Sequence, residues 1–395
     1  MIAPFLLHWM MIRILLLLLV APTVYAQKTV SIDASPVVRI HVPIFIKISK
    51  PSDHNYGLLN ASTGKTYPLQ WSGDSAVFIP SDTIPAGQSP TLSLKKLSNK
   101  RVKALEIIQL KKTQGTVTVL RHGVPVFIYN IAELMPPADS PSYYKRSGFI
   151  HPLYTPSGRV ITDAFPSTHA HQHALFHAWT NTNYKGKHVD FWNQHQKQGT
   201  VGNAKLISSK EGLVYAELVT KQEYIGLAFG TILEEFWTIR IYNCFDKTIF
   251  DIAIRQQNIT QDTLHLDKYI YGGMAFRGSE QWDKFNKKTF QEKWSLLTSE
   301  GIRDTLANNT AAKWVMVTGH ISGIASTATV IGHPSNFRYP QKIRVHPEMP
   351  YWVFSPVIDE GFKMPPGAFY NARYRYLITD EPPTSATIQS VSDSW

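Results

Sequence analysis

The feature that most constrains the fold of this chain is a long series of short β-type runs separated by turn residues. Residues 37–48 alternate apolar and polar side chains with a period of two, and residues 370–378 alternate strictly. Residues 116–120 and 124–129 flank Arg121-His122-Gly123 in the manner of a hairpin. Helical periodicity is almost absent. Many short strands without intervening helices predict an all-β sandwich or a related architecture.

The spacing of these runs predicts two β domains with a boundary near residues 111–115. Residues 27–113 have the length of a small β-sandwich, and residues 114–395 suit one large two-sheet domain. A chain of this length can bury about three-quarters of its unfolded surface, so its core does not depend on cross-links. The single cysteine, Cys244, excludes an internal disulfide, and its strand-like surroundings predict a buried, inert thiol.

Residues 1–26 have the pattern of a signal peptide. Arg13 gives a positive start, residues 14–20 form an apolar segment, and Val24-Tyr25-Ala26 is a small-residue cleavage site. We therefore expect a periplasmic or secreted protein cleaved near Ala26, with a retained N-terminal anchor as the alternative. No later segment is a long uncharged apolar run, so no membrane span is expected after cleavage. Three methionines are candidate starts: Met1, Met10 and Met11.

The charge of the chain does not indicate a nucleic-acid partner. The formal net charge is +11, but the basic residues are scattered and form no long Lys/Arg block. The sequence also lacks the motifs of serine-hydrolase elbows, phosphate-binding loops, dinucleotide folds and zinc proteases. These absences leave a ligand site built on β-strands and their loops as the main expectation.

The most chemically informative stretch holds four histidines within nine residues, from His169 to His177. In a strand, His169, His171 and His173 share one face, whereas in a helix His169, His173 and His177 do. Three imidazoles can hold a divalent metal, or they can act as acid, base and hydrogen-bond donors toward a sugar. We predict His169, His171 and His173 as catalytic residues and as metal ligands, without requiring a cofactor. The structural alternative is that they fill buried hydrogen-bonding positions.

Four further residues are predicted to bind the substrate. Trp192 can stack on a sugar ring and Asp190 can bind hydroxyl groups, although a core tryptophan beside a turn is the alternative. Arg277 follows Gly272-Gly273, where the backbone can approach a ligand, and its guanidinium can bind a carboxylate; a β-bulge is the alternative. Arg159 closes an ordered Pro- and Gly-containing segment.

The loop 332–346 is a third candidate region. Prolines restrict its backbone while polar side chains recur at short spacing. We predict His333 as a catalytic residue, with Asn336, Arg338 and His346 as substrate-binding residues. A pair of carboxylates is less decisive. Glu234 and Glu235 face opposite sides of the strand predicted at residues 231–242, and the inward one is either a general base or part of a salt bridge.

These motifs resemble an uncharacterised bacterial family labelled methane oxygenase PmoA-like, a domain of unknown function. The resemblance covers most of residues 115–380 and rests on residues 151–159, the histidine cluster, residues 189–192 and residues 333–340. The family usually reads His-Pro-His-His-His-Gly at the cluster. This chain replaces the proline, the middle histidine and the glycine with Ala170, Gln172 and Ala174.

The resemblance implies a galactose-mutarotase-like two-sheet supersandwich, a fold that serves sugar epimerases, lyases and hydrolases. The leading hypothesis is therefore an exported carbohydrate-active enzyme with a carbohydrate ligand. One alternative is a non-catalytic sugar-binding or envelope protein. A second is a metal-dependent oxidase, as the family label implies, although a methane monooxygenase subunit spans the membrane. The substrate, the reaction, the metal and the oligomeric state are left open.

Overall fold

The computed structural model describes residues 28–52, 54–100 and 107–395. The predicted signal peptide lies outside these residues. Within them, no helix is both long enough and apolar enough to cross a membrane. Nearly all regular structure is β, which confirms the predicted fold class.

Six strands precede residue 100. They are β1 (Thr29–Ser31), β2 (Ile44–Lys47), β3 (Tyr56–Asn60), β4 (Thr66–Ser72), β5 (Ser75–Phe78) and β6 (Thr91–Lys96). They form one antiparallel sheet, the N-terminal sheet, in the order β1-β6-β3-β4-β5-β2. The alternating run 37–48 contributes only β2. The residues before it are irregular: His41 has a positive φ of 48°, and Pro43 has no amide hydrogen to donate to a ladder.

Twenty strands and one α-helix follow in the described part of the chain. The first ten are β7 (Gln109–Lys112), β8 (Thr116–Arg121), β9 (Val124–Asn130), β10 (Phe149–Leu153), β11 (Leu175–Ala178), β12 (Thr182–Tyr184), β13 (Lys187–Val189), β14 (Gly199–Lys210), β15 (Tyr215–Gly226) and β16 (Gly230–Tyr242). The next five are β17 (Thr248–Asn258), β18 (Leu264–Leu266), β19 (Gly273–Arg277), β20 (Ser295–Thr298) and β21 (Trp314–Ile321). The last are β22 (Ile324–Gly332), β23 (Ile343–Val345), β24 (Tyr351–Phe354), β25 (Phe362–Met364), β26 (Phe369–Thr379) and α1 (Ser385–Asp393).

Two eight-stranded antiparallel sheets enclose the main core. The front sheet has the order β23-β24-β19-β11-β10-β9-β8-β7, and the back sheet has the order β14-β15-β16-β17-β26-β22-β21-β20. Residues from both sheets, such as Phe176 and Trp352 in front and Trp237 and Tyr374 behind, share one apolar cluster. A four-stranded sheet, β13-β12-β18-β25, adjoins them. The strands predicted at 231–242 and 370–378 are the central β16 and β26.

The N-terminal sheet packs on the outer face of the back sheet. Its core residues, including Ile44 and Phe78, share a cluster with Tyr242 and Leu377 of the back sheet. Gln70 ties the two parts together, because its side chain donates to the Tyr215 carbonyl at 2.8 Å and accepts from the Val214 amide at 3.0 Å. The predicted boundary near residue 113 stays a prediction.

A buried polar network crosses the space between the two large sheets. The inward carboxylate is Glu235, which is fully buried and 2.7 Å from Nδ1 of His177. Gln222 and Trp237 donate to its other oxygen at 2.6 and 2.7 Å. Burial alone raises the pKa of Glu235, but His177 and these donors outweigh burial and hold the pKa below its ordinary value. Protein side chains thus bridge the two sheets at this point.

The environment of Cys244 agrees with the prediction of a buried, inert thiol. It is fully buried beneath the N-terminal sheet, within the cluster that joins that sheet to the back sheet. Burial raises its pKa to about 12, so the reactive thiolate is scarce at neutral pH.

Gly148 gives a test of the packing around this network. It has a φ of +75°, and a Cβ added there would overlap the carboxamide of Gln222. We predict that Gly148→Ala lowers the free energy of unfolding by about 2 kcal/mol more than Gly158→Ala, because Gln222 must leave Glu235. Gly158 is the matched control: its φ is +81°, but nothing lies within 4 Å of its added Cβ. Equal losses in urea denaturation would contradict this packing.

Candidate functional site

The histidine-rich stretch forms a tight turn between β10 and β11, so neither predicted geometry occurs. The amide of His169 donates to the Pro166 carbonyl, and the amide of Gln172 donates to the His169 carbonyl, both at 2.9 Å. His173 pairs with Ala164 across the base of the turn. Because the backbone reverses within a few residues, the four histidines do not share one face.

Two of the four histidines point into the protein. His173 is fully buried, with Nε2 at 3.1 Å from the Tyr144 carbonyl and its ring 4.8 Å from that of Phe165. His177 belongs to the Glu235 network. The surroundings of His173 match the structural alternative of a buried hydrogen-bonding histidine, and its catalytic role stays a prediction.

The other two histidines join two from distant parts of the chain. Ring centroids of His169 and His171 lie 5.5 Å apart. His346 lies 6.0 Å from His169, and His195 lies 5.9 Å from His171. These four residues form the imidazole row, in the order His195, His171, His169, His346. His346 of the candidate region 332–346 therefore lies beside His169 of the histidine-rich stretch.

Three members of the imidazole row, His169, His171 and His346, have pKa values shifted toward the neutral form. Burial, with repulsion from His169 and His195, lowers the pKa of His171 to about 3. Burial and the charge of Arg344 lower the pKa of His346 to about 4, and burial also lowers the pKa of His169. His171 and His346 therefore lack the second, imidazolium proton at pH 7, so their rings can serve as hydrogen-bonding groups rather than as general acids.

The predicted metal site does not form from its predicted ligands. His173 turns toward the Tyr144 carbonyl and a wall of phenylalanine rings, which leaves only His169 and His171 of the proposed three. Across residues 28–52, 54–100 and 107–395, no group of three His, Cys, Asp or Glu side chains is placed to hold a metal ion. The residues present therefore do not fit a three-histidine centre.

Arg277 connects the histidine turn to a neighbouring cavity. Its side chain is fully buried at the end of β19, and its guanidinium donates to Asp283. It also donates to the Gln172 carboxamide at 3.1 Å and lies 3.7 Å from the Asp163 carboxylate. Arg277 was predicted to bind substrate, but its partners are the protein's own side chains. Gln172, at the family's middle-histidine position, supplies one of them.

A cavity of about 450 Å³ lies beside Arg277. We call it the Asp163 cavity; among its lining residues are His151, Arg159, Asp163, Glu280, Gln281 and Ser322. Pairing of Thr162 with Gly278 brings the segment after β10 against the segment after β19. Arg159, predicted to bind substrate, lines this cavity, whereas Asp163 and Glu280 were not predicted.

Asp163 is the group of this cavity best suited to proton transfer. Burial raises the pKa of Asp163, and the nearby charges of Glu280 and Asp283 raise it further. The charge of Arg277 partly offsets this increase, and the resulting pKa is about 7. The Asp163 side chain is 15% exposed to solvent, so a ligand in the cavity can reach it. His151, on the same wall, is neutral, because burial lowers its pKa to about 4.

Asp190 and Trp192 are buried rather than exposed to a ligand. Asp190 accepts hydrogen bonds from the amides of Trp192 and Asn193 at 2.8 and 2.7 Å and so closes a turn. Trp192 is fully buried, with its ring 4.6 Å from that of Phe176. The structural alternative considered for this pair, a core tryptophan beside a turn, is what the structure contains.

The predicted site residues of the loop 332–340 pack against parts of the protein other than the imidazole row. Asn336 is buried and exchanges two hydrogen bonds with the backbone of Arg373. Arg338 donates to the carbonyls of Glu360 and Gly361 and so fastens a loop. His333 packs 4.7 Å from the ring of Trp395 and lines a different cavity. None of the three contributes to the Asp163 cavity.

Replacement of Arg277 tests its role as the link between turn and cavity. We predict that Arg277→Met lowers the free energy of unfolding by about 3–5 kcal/mol, because the buried Asp283 carboxylate loses its cation. Lys342→Met is the control, since its ion pair with Asp359 is solvent-exposed and is expected to contribute less than about 1 kcal/mol. Equal effects of the two substitutions in guanidinium denaturation would contradict the assignment.

Comparison with solved structures gives only weak similarities. One is a GH36 α-galactosidase, AgaB from Geobacillus stearothermophilus, at 11% identity and a TM-score of 0.34. Another is a variant of AgaA from the same organism in complex with stachyose, at 12% identity and a TM-score of 0.29. In each case the match covers 69% of this chain, which spans only 41% of the enzyme.

Sequence comparison identifies the family. No curated protein matches the sequence. The family model of DUF6807, a family of unknown function, matches residues 116–393, a region that includes every motif on which the resemblance was based. None of these matches carries the methane-oxygenase label, which stays a prediction. Because the family model covers well over half of the chain, the protein belongs to DUF6807.

Proposed function

We propose that this protein is a carbohydrate-active enzyme that performs acid–base chemistry in the Asp163 cavity. One observation carries the proposal: a carboxyl group whose pKa is raised to about 7 lines a polar cavity of about 450 Å³. A group with a pKa near the working pH transfers protons most effectively. The cavity also has the volume of a typical small-ligand site.

The lining of the cavity favours a sugar as the ligand. Arg159 offers a guanidinium, Gln281 a carboxamide, and Ser322 a hydroxyl group. These groups can donate to and accept from the hydroxyl groups of a sugar ring. The neutral His151 adds a hydrogen-bonding group without a competing charge. In the neighbouring imidazole row, His171 and His346 offer further uncharged hydrogen-bonding groups for a longer saccharide.

Within this proposal, two carboxyl groups divide the work as in glycoside hydrolysis. Protonated Asp163 gives its proton to the oxygen of the departing sugar as the carbon–oxygen bond breaks. The exposed carboxylate of Glu280 takes a proton from the attacking water as the new carbon–oxygen bond forms. Arg277, whose guanidinium lies 3.7 Å from the Asp163 carboxyl group, holds that group in position. An epimerase or a lyase would use the same acid–base pair on a different bond.

We predict a pH dependence that belongs to Asp163. The acid must be protonated, so turnover falls as pH rises through about 7, where the protonated fraction is lost. Asp163→Asn is expected to lower kcat/KM by about 10²–10⁴ and to remove this alkaline limb. The measurement is a pH–rate profile on a saccharide found by screening aryl glycosides, oligosaccharides and polysaccharides.

The control is Asp139→Asn, since Asp139 lies in an exposed loop away from the cavity. It should leave both the rate and the pH profile unchanged. Products identify the reaction: incorporation of labelled water oxygen marks hydrolysis, an unsaturated sugar marks elimination, and an inverted carbon marks epimerisation. Binding of saccharides without turnover would refute the enzyme and support a binding protein, and full activity of Asp163→Asn would refute the acid–base role.

A further inference from the structure

A second cavity lies on the outer face of the back sheet. It has a volume of about 510 Å³, and we call it the His333 cavity. Its lining includes Phe45, Arg240, Asp251, His333, Arg373 and Trp395. It therefore combines strand residues from the back sheet with an aromatic ring from β2 and another that follows α1. None of its residues lines the Asp163 cavity.

The loop that carries His333 is fastened onto β26 beside Arg373. The amide of His333 donates to the Arg373 carbonyl at 3.1 Å. Asn336 donates to the same carbonyl at 2.8 Å and accepts from the Arg373 amide at 2.7 Å. Asn336, predicted to bind substrate, is thus a positioning residue. It holds His333 and Arg373 on the wall of one cavity.

The charges of the His333 cavity leave one cation unbalanced. Asp251 accepts from Nε and Nη2 of Arg375 at 2.7 and 2.8 Å and from the Tyr242 hydroxyl at 2.7 Å, so its oxygens are occupied. Arg240 is paired with Glu217. Arg373 forms no ion pair with a carboxylate of the described residues. The cavity therefore favours a ligand with a single negative charge.

The remaining free group of His333 is a hydrogen-bond donor. Its Nδ1 accepts from the Ser335 amide at 3.1 Å and lies 2.7 Å from the Ser335 hydroxyl, which can also donate to it. The neutral ring must then carry its hydrogen on Nε2. Burial, followed by the charges of Arg373 and Arg375, lowers the pKa of His333, which keeps the ring neutral at pH 7. Arg373 and His333 thus offer donors only.

We propose that the His333 cavity binds a sugar acid of the uronate class. Arg373 binds the carboxylate, and the Nε2–H of His333 donates to a ring hydroxyl group. Trp395, whose indole lies 4.7 Å from the His333 ring, supplies an apolar wall for the sugar ring. One unbalanced cation matches one carboxylate better than a doubly charged phosphate. This site does not depend on the chemistry of the Asp163 cavity.

Calorimetric titration with D-glucuronate and D-glucose tests the site, because the two sugars differ only at the carboxylate. We expect glucuronate to bind at least about tenfold more tightly than glucose to the full chain. Arg373→Ala should weaken glucuronate binding at least about tenfold, and Arg373→Lys should retain part of it. Arg255→Ala is the matched control, since Arg255 is exposed on the neighbouring β17 but does not line the cavity.

Two further binding measurements distinguish this site from catalysis in the Asp163 cavity and from attraction by charge alone. Asp163→Asn should bind glucuronate as tightly as the natural chain, whichever way the turnover assays end. Inorganic phosphate should bind more weakly than glucuronate, because it lacks a ring to contact Trp395. Equal binding of glucose and glucuronate, tighter binding of phosphate, or unchanged binding by Arg373→Ala with the fold intact by circular dichroism would overturn the proposal.

Discussion

The buried guanidinium of Arg277 is the interaction on which the candidate site depends. A full charge buried away from the solvent requires partners, and the protein supplies them from three separate segments. Asp283 neutralises the guanidinium, and Gln172 links the histidine turn to it by a hydrogen bond. Asp163 lies 3.7 Å from the guanidinium, on the side of the cavity. One residue on a front-sheet strand thereby sets the positions of a loop, a carboxyl group and a cavity wall.

The same arrangement explains why Asp163 and the histidines differ in protonation. Burial opposes charge on Asp163, His171 and His346, so it raises the pKa of the acid and lowers the pKa values of the two bases. Asp163 consequently titrates near neutral pH, while His171 and His346 stay neutral. Among these groups, Asp163 is therefore the one that changes protonation state near neutral pH.

The fold could be predicted from the sequence because alternation reports which face of a strand is buried. The runs at 231–242 and 370–378 became central strands of the back sheet for that reason. The candidate site could be predicted only in part. Residue type and local spacing indicated Arg159 and the histidines, but the burial of Trp192 and His173, and the meeting of Asp163 with Arg277, depend on strand pairings between distant segments.

The most direct test of the proposed acid–base site is the titration of Asp163 itself. The side-chain carboxyl carbon of each aspartate can be followed by NMR with carbon-13 labelling, and Asp163→Asn assigns the signal. We predict a midpoint near pH 7 for Asp163, well above the roughly 3.9 of an unperturbed aspartate. A midpoint at or below that ordinary value would contradict a buried, proton-holding Asp163, and with it the proposed acid–base site.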